Sequence, residues 1–456
     1  MKGEERIVGH AVLEGELELL SPLLVGDGGG DETRDIHVLK DRTGRPFLPG
    51  TSIAGVLREL VAERSGAMAA MLFGALDRQQ SAVRVSDALF TRYAIIYRDG
   101  VRIDHDLGTA VTGAKYDYEA IEREGRAPLR IDVTLRGIHT EDPTDIHAPL
   151  RADVIDALAF LRDALKSGVR FGAMTAKGLG HAQVKNIAMG LYDFARPQDV
   201  KTYLRQETPS AAGAGDHCKN ASTYNASTYA ATAPDTFDVA AAFSLRSSLL
   251  VRAKGEDATG KAIAVMQKSG RDAVIPGSSL KGVLRHQAVR ILEKLGRNAD
   301  ALDDLMGTSG EDAAGVRKKS RMTVDETYIR LDKNVFEKEH TRNRIDRFTG
   351  GTIDSALFTT RPIWQKGKAP TVHVHFQIQK ASKAEAGLAL FLLRDLWQGR
   401  TALGGEAGAG RGTLLGHTAT ICYGGNVYHI GENGRITDGK AELEACAAAF
   451  VQAKED

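Results

Sequence analysis

The stretch of this 456-residue sequence best suited to chemistry is Gly26-Asp27-Gly28-Gly29-Gly30-Asp31-Glu32-Thr33-Arg34-Asp35. It is not a Walker loop, because no Gly-Lys-Ser/Thr follows the glycines. Carboxylates in such a loop are by default solvated turn residues. Their other use is to orient the attacking 2′-hydroxyl of an RNA, or to hold Mg2+ beside it. An ordinary aspartate, with a pKa of about 3.9, is a feeble general base at neutral pH, which favours the orienting or metal role. The loop's aspartates are Asp27, Asp31 and Asp35.

Two glycine-rich loops, Phe171 to Gly180 and Leu403 to Gly412, could let a phosphate backbone approach main-chain N–H groups. Lys177, His181 and Arg411 would supply charge there. Arg102 and Arg344 each open an Arg-Ile-Asp sequence inside a long polar insertion that cannot be core, and each insertion could form an arm over a nucleic acid. The run Arg317-Lys318-Lys319-Ser320-Arg321 is the densest basic cluster, and a solvated face explains it as well as phosphate binding does. No Ser/His/Asp triad signature, dinucleotide fingerprint or Cys/His metal spacing is present.

The elements that must position these residues come twice. Leu48-Pro49-Gly50-Thr51-Ser52-Ile53-Ala54-Gly55-Val56-Leu57-Arg58 recurs without a gap as Ile275 to Arg285, 275 − 48 = 227 positions later. Pro and Gly break a strand, and Thr51/Ser52 or Ser278/Ser279 are placed to cap a helix. Ile53, Val56, Leu57, Leu60 and Val61 then share one buried helical face. A helix start of this kind can also hold a phosphate.

Other matches keep the same order, from Leu23-Leu24-Val25 with Leu249-Leu250-Val251 to the two glycine-rich loops. A tandem duplication follows. Each copy alternates strands with two helices, so the fold class is α+β, a split βαβ, ferredoxin-like unit carrying insertions. The domain reading is 1–200 for the first unit, 201–236 for a flexible linker rich in Ala, Ser, Thr and Gly, 237–425 for the second unit, and 426–456 for a tail with a short helix.

The composition, 42% hydrophobic and 26% charged, is that of a soluble globular protein without a membrane-spanning run. Only three cysteines, far apart, suit a reducing cytoplasm. The net charge of +1 means that any nucleic-acid grip must be local.

Five features in order carry a resemblance: the early Gly-rich loop, then an Asp before an apolar-x-x-Asp strand (Asp35 ahead of Ile36 to Asp41), then Gly44-Arg45-Pro46-Phe47-Leu48-Pro49-Gly50-Thr51-Ser52, then Arg-Ile-Asp with Thr-Gly, and the late Gly-x-Gly loop. As a set they resemble the RAMP superfamily. More narrowly, both repeats look like the backbone subunits of type III CRISPR effector complexes, and two fused units resemble the type III-D branch. The resemblance implies RRM-like units with thumb-like hairpins. These would lie along a CRISPR RNA, beside a complementary target RNA and other type III effector subunits, with no membrane. It implies that Asp35 is the catalytic and metal-binding residue of a Mg2+-dependent cleavage of target RNA, and that the arms are the Arg102 and Arg344 insertions. Guide contacts would fall on Ser52, Arg58, Ser279, Lys281, Arg285 and the glycine-rich loops. In the second copy the 227 offset puts Ala262 opposite Asp35, whereas counting from Leu249 pairs Asp31 with Asp257. Two other readings stay open: a non-catalytic guide-binding subunit, and a guide-processing endonuclease using His37 or His105.

Overall fold

The computed structural model describes residues 6–29, 35–75, 80–104, 109–137, 152–205, 235–257, 259–308 and 318–453. Asp31, His105, Arg317 and the expected linker core, 206–234, lie outside the described residues.

Alternation of apolar and polar residues makes each central strand one-sided, as an antiparallel sheet with a single covered face requires. In the first repeat the sheet order is Val83–Val85, Arg126–Gly137, Arg6–Leu19, His181–Asp193, Val169–Arg170. In the second it is Met322–Val324, Val372–Ile378, Phe237–Leu245, Leu414–Tyr423, Asn426–Ile430. Leaving out the short edge strand, both run second, third, first, fourth in sequence order. This is the ferredoxin-like arrangement of a split βαβ unit. The expected α+β fold with two tandem units is the observed one.

Inward residues pair across the register, for example Leu13 with Ile131 and Ala11 with Val133. The helices Gly50–Ala62 and Ala152–Ser167 cover that face in the first repeat, burying Ile53, Leu57 and Val61 from the first of them. Gly277–Lys294 and Lys383–Trp397 do so in the second. Each large aliphatic fully buried in this way contributes about 1.5–3 kcal/mol.

The helix starts differ from the expected capping. Pro49 and Pro276 are the N-caps, with no side-chain cap bond in either case. The Pro49 carbonyl accepts Ser52 N–H at 3.0 Å and Ile53 N–H at 3.1 Å. The N–H of Gly50 donates to Asp87 Oδ1 at 2.8 Å, so a carboxylate from outside the helix takes the part expected of Thr51 or Ser52. Gly50 is required there because a Cβ would lie 2.2 Å from the Val85 carbonyl oxygen.

The described residues form two compact units. One draws on Met1–Tyr97, Asp117–Ala173 and Gly180–Ala231, the other on Arg98–Tyr116, Met174–Leu179 and Thr232–Asp456. Two short segments encoded in the first repeat therefore belong to the second unit. Among the described residues no helix is long and apolar enough to cross a membrane.

Candidate functional site

In the first unit Ile36 and Tyr118 form a parallel bridge, which sets Asp35 beside Asp117 and His37 beside Glu119. The Asp35 N–H donates to Asp117 Oδ1 at 3.2 Å, and the Asp117 N–H donates to Asp35 Oδ2 at 2.8 Å. Asp35 is exposed and Asp117 half-buried. One step along, Glu119 is buried, with His37 Nδ1 at 3.7 Å and Lys40 Nζ at 3.0 Å. Its Oε2 also accepts the Val38 N–H at 3.2 Å. Burial alone would push the Glu119 carboxyl up, but Lys40, the Val38 amide and His37 more than offset it, leaving the group below its usual range. An ionised, braced Glu119 thus fixes the strand that presents Asp35. Sequence reasoning misses Asp117 and Glu119. The signal that points to them is the alternation Asp117-Tyr118-Glu119, which on a strand places both acids on one face.

The second repeat has no such pair among the described residues. Ala262 is an exposed residue of the strand Ala262–Met266, which pairs with Arg252–Glu256. Asp257 closes the turn between those strands: its Oδ1 accepts Thr259 N–H at 2.8 Å, Thr259 Oγ1 at 2.6 Å and Lys261 N–H at 3.0 Å. The same three bonds occur at Asp41, with Thr43 N–H at 2.8 Å, Thr43 Oγ1 at 2.6 Å and Arg45 N–H at 2.9 Å. Both turns read Asp-x-Thr-Gly followed by a basic residue, and both glycines take positive φ, 83° and 78°. The pairing of Asp257 with Asp31 is therefore corrected: the structural counterpart of Asp257 is Asp41. These bonds hold both carboxyls below their usual range, with the threonine hydroxyl the largest cause in each.

Asp35 and Asp117 offer hard oxygen donors, which suit Mg2+. That ion commonly uses one or two carboxylates and completes its shell with water and substrate phosphates. The pair fits this pattern. Among the described residues no group of three or more His, Cys, Asp or Glu could hold a metal, so a closed all-protein cage does not fit.

The glycine-rich loops are conformational twins. Gly172 and Gly404 have φ of 76° and 77°, and Met174 and Glu406 have 57° and 62°. Each loop then makes one 3-10 turn, Thr175–Lys177 and Ala407–Ala409. Glycine is obligatory at 180 and 412, where a Cβ would lie 1.8 and 1.9 Å from the carbonyl oxygens of Phe171 and Leu403. Lys177 is exposed, and His181 is half-buried with its backbone N–H on Ser21 Oγ at 2.9 Å.

Arg58 is exposed, and Ser52 and Ser279 are placed at the two helix starts, Ser52 half-buried and Ser279 likewise. Arg285 is tied to the Gly307 carbonyl at 2.7 Å and to Asp303 at 2.5 Å. Two expected guide contacts need correction. Lys281 is 7% exposed, and its ammonium donates to Ser320 Oγ at 2.6 Å, the Met322 carbonyl at 2.9 Å and the Ala176 carbonyl at 3.4 Å. Burial pulls its pKa down to about 7, with Lys177 and Arg285 adding to the effect. Arg411 is 3% exposed, bound to Glu406 Oε2 and Ser248 Oγ, each at 2.7 Å. Both are interior braces as they stand.

Both polar insertions are arms. Ile95–Ile103 and Ala110–Ile121 form the first, a two-stranded sheet with Arg102 exposed. His340–Arg342 pairs with Phe358–Arg361 in the second, which an Ile345–Thr352 bridge narrows toward its end. The turns match: Asp104 N–H donates to Thr109 O at 2.8 Å, and Asp346 N–H to Gly351 O at 2.9 Å. Arg344 is exposed, and Phe348 is 98% exposed.

The outer face of the second sheet offers Ala240, Ala242, His373, His375, Thr418 and Thr420, a set without a Phe, Tyr or Trp ring on which a base could stack.

Comparison with known families matches residues 16–183 and 207–414 to the RAMP superfamily. The chain belongs to this superfamily, whose members are generally CRISPR-associated RNA-binding proteins. Among curated proteins there is no match.

Proposed function

We propose that this protein is a double-unit backbone subunit of a type III CRISPR effector complex. In this reading it holds a CRISPR RNA with its complementary target and cleaves the target at the first repeat. The observation that carries the cleavage assignment is the exposed Asp35 locked to Asp117 by reciprocal backbone bonds. A carboxylate fixed in this way can orient a 2′-hydroxyl without a further entropic cost of ordering itself. Asp35 and Asp117 would hold Mg2+, which when bound supplies positive charge against the scissile phosphate. Lys40 and His37 keep Glu119 charged and so keep the presenting strand in register.

The arms support the binding half of the proposal. Arg344 and Arg347 precede the exposed Phe348 in the same turn, which combines phosphate attraction with a flat apolar face for a base. Lys177 and Arg58 add exposed positive charge. Such a grip is dominated by phosphates, so it weakens steeply with salt and is largely indifferent to sequence.

The test is to express the protein with its native operon and sequence the RNA that co-purifies. Short RNAs of uniform length sharing a repeat-derived end are expected. No RNA, or a random mixture released by modest salt, would contradict the assignment.

A further inference from the structure

The second compact unit contains two segments from the first repeat, 98–116 and 174–179, and its seats for them are chemically specific. Arg98 is 4% exposed, and its guanidinium makes a two-pronged contact with Glu326, itself 8% exposed. Tyr328 OH donates to the same carboxylate at 2.9 Å. The loop 174–179 lies against backbone: a Cβ on Gly178 would lie 2.7 Å from Glu326 N, and one on Gly277 would lie 2.3 Å from the Lys177 carbonyl oxygen. Lys281 reaches the Ala176 carbonyl of that loop.

The same positions in the other repeat carry different residues. Lys281 corresponds to Ala54 (281 − 227), and Glu326 to Asp87, since Ile275 pairs with Thr327 as Leu48 pairs with Ala88. Arg98 corresponds to His340 (98 + 242), whose Nδ1 lies 2.8 Å from Arg411 Nη2. The seat in the second unit thus joins a lysine to a longer carboxylate, its equivalent in the first repeat has no lysine and turns the shorter Asp87 onto the Gly50 N–H, and the second arm lacks the arginine that pairs with Glu326.

We propose that Arg98, Glu326 and Lys281 form a pairing code by which the second unit accepts the arm base and glycine loop of a first repeat and rejects those of a second repeat. An arm base bringing histidine in place of Arg98 takes the guanidinium away from a buried Glu326, and removing one member of a buried ion pair is strongly unfavourable. The occupant of the seat is the first repeat of the same chain. A first arm is thereby favoured over a second in this seat, so a heterologous contact that could otherwise extend without limit is made selective.

Full-length R98E, E326R and the double variant R98E/E326R test this. Each single reversal is expected to stay monomeric by light scattering and to lose protease protection in the 98–116 arm, with cleavage at least about tenfold faster because the open state is more populated. The double variant should regain protection. Mixing the two single variants should yield dimers, because the acidic arm base of R98E now suits the basic seat of E326R. The arm base of E326R, which keeps Arg98, in turn suits the seat of R98E, which keeps Glu326. A mixture that stays monomeric overturns the proposal. Should either reversal fail to yield soluble protein, R98H, which installs the second repeat's residue, decides it: exposure of the arm supports the code, and protection equal to wild type overturns it.

Discussion

Arg98 on Glu326 braces the base of the first arm, whereas the second arm is held by Arg342 on Glu406, with Arg411 joining Glu406 to His340. Both bases use a buried or nearly buried carboxylate, yet the sources differ. Glu406 lies in the glycine-rich loop of the second arm's own repeat, at the position of Met174 in the first. The first loop, lacking such an acid, is itself seated in the second unit together with the first arm. Duplicated chains need not duplicate their bracing. One copy can support its arm locally while the other borrows its support, which couples the order of the first arm to the folding of the second unit.

The largest effect expected from breaking this comparison is at the two acids. Glu406→Ala takes the carboxylate from Arg342 and Arg411, and Glu326→Ala takes it from Arg98. Either should cost about 3–5 kcal/mol in urea unfolding, the usual consequence of removing one member of a buried pair. Limited proteolysis should separate them, with E406A opening 340–361 alone and E326A opening 98–116 alone. If each variant loosened both arms equally, the bracing would not be independent.

A smaller effect sharpens the contrast. Gly50→Ala drives a Cβ into Val85 O at 2.2 Å, and Gly277→Ala into Val324 O at 2.5 Å as well as Lys177 O at 2.3 Å. Overpacking of this kind costs about 1–3 kcal/mol in each case. Only G277A should also raise hydrogen exchange in 174–179, because only there does the borrowed loop lie against the glycine.

The smallest effect concerns pH. His375 bridges Asp238 through Nε2 at 2.9 Å and Asp325 through Nδ1 at 2.8 Å, and these two bonds raise it to about 9 from 6.5. A raised histidine pKa contributes stability that is complete below about 6.5 and lost as pH rises through about 9. The melting temperature of wild type should therefore fall across that window by about 2–4 °C, the shift expected for roughly 1 kcal/mol in a domain of this size. His375→Gln should flatten that part of the profile, and an unchanged slope would assign it elsewhere.

Much of the fold was legible in the sequence, because a tandem repeat shows itself through ordered matches and each strand through its period of two. The helix starts were legible as places but not as chemistry. Gly50 and Gly277 are enclosed by backbone from residues far along the chain, and Asp87 caps from 37 positions away. Lys281 and Arg411 looked like surface cations for the same reason, since distant residues enclose them: 176, 320 and 322 accept from Lys281, and 248 accepts from Arg411. Asp257 is different. Its Asp-x-Thr-Gly-basic signature matches Asp41 in the sequence itself, and counting from Leu249 across a loop of changed length hid the match. Asp35 was legible as a residue, but its partner Asp117 was not, since a bridge between Ile36 and Tyr118 is needed to bring them together.

The central claim is that one repeat cuts and the other only holds, and target cleavage by the assembled complex tests it most directly. With a complementary RNA and Mg2+, Asp35→Ala should abolish the cut made at the first repeat while leaving RNA binding intact, and Asp257→Ala should leave every cut in place. Full cleavage by D35A, or loss of a cut in D257A, would contradict the account.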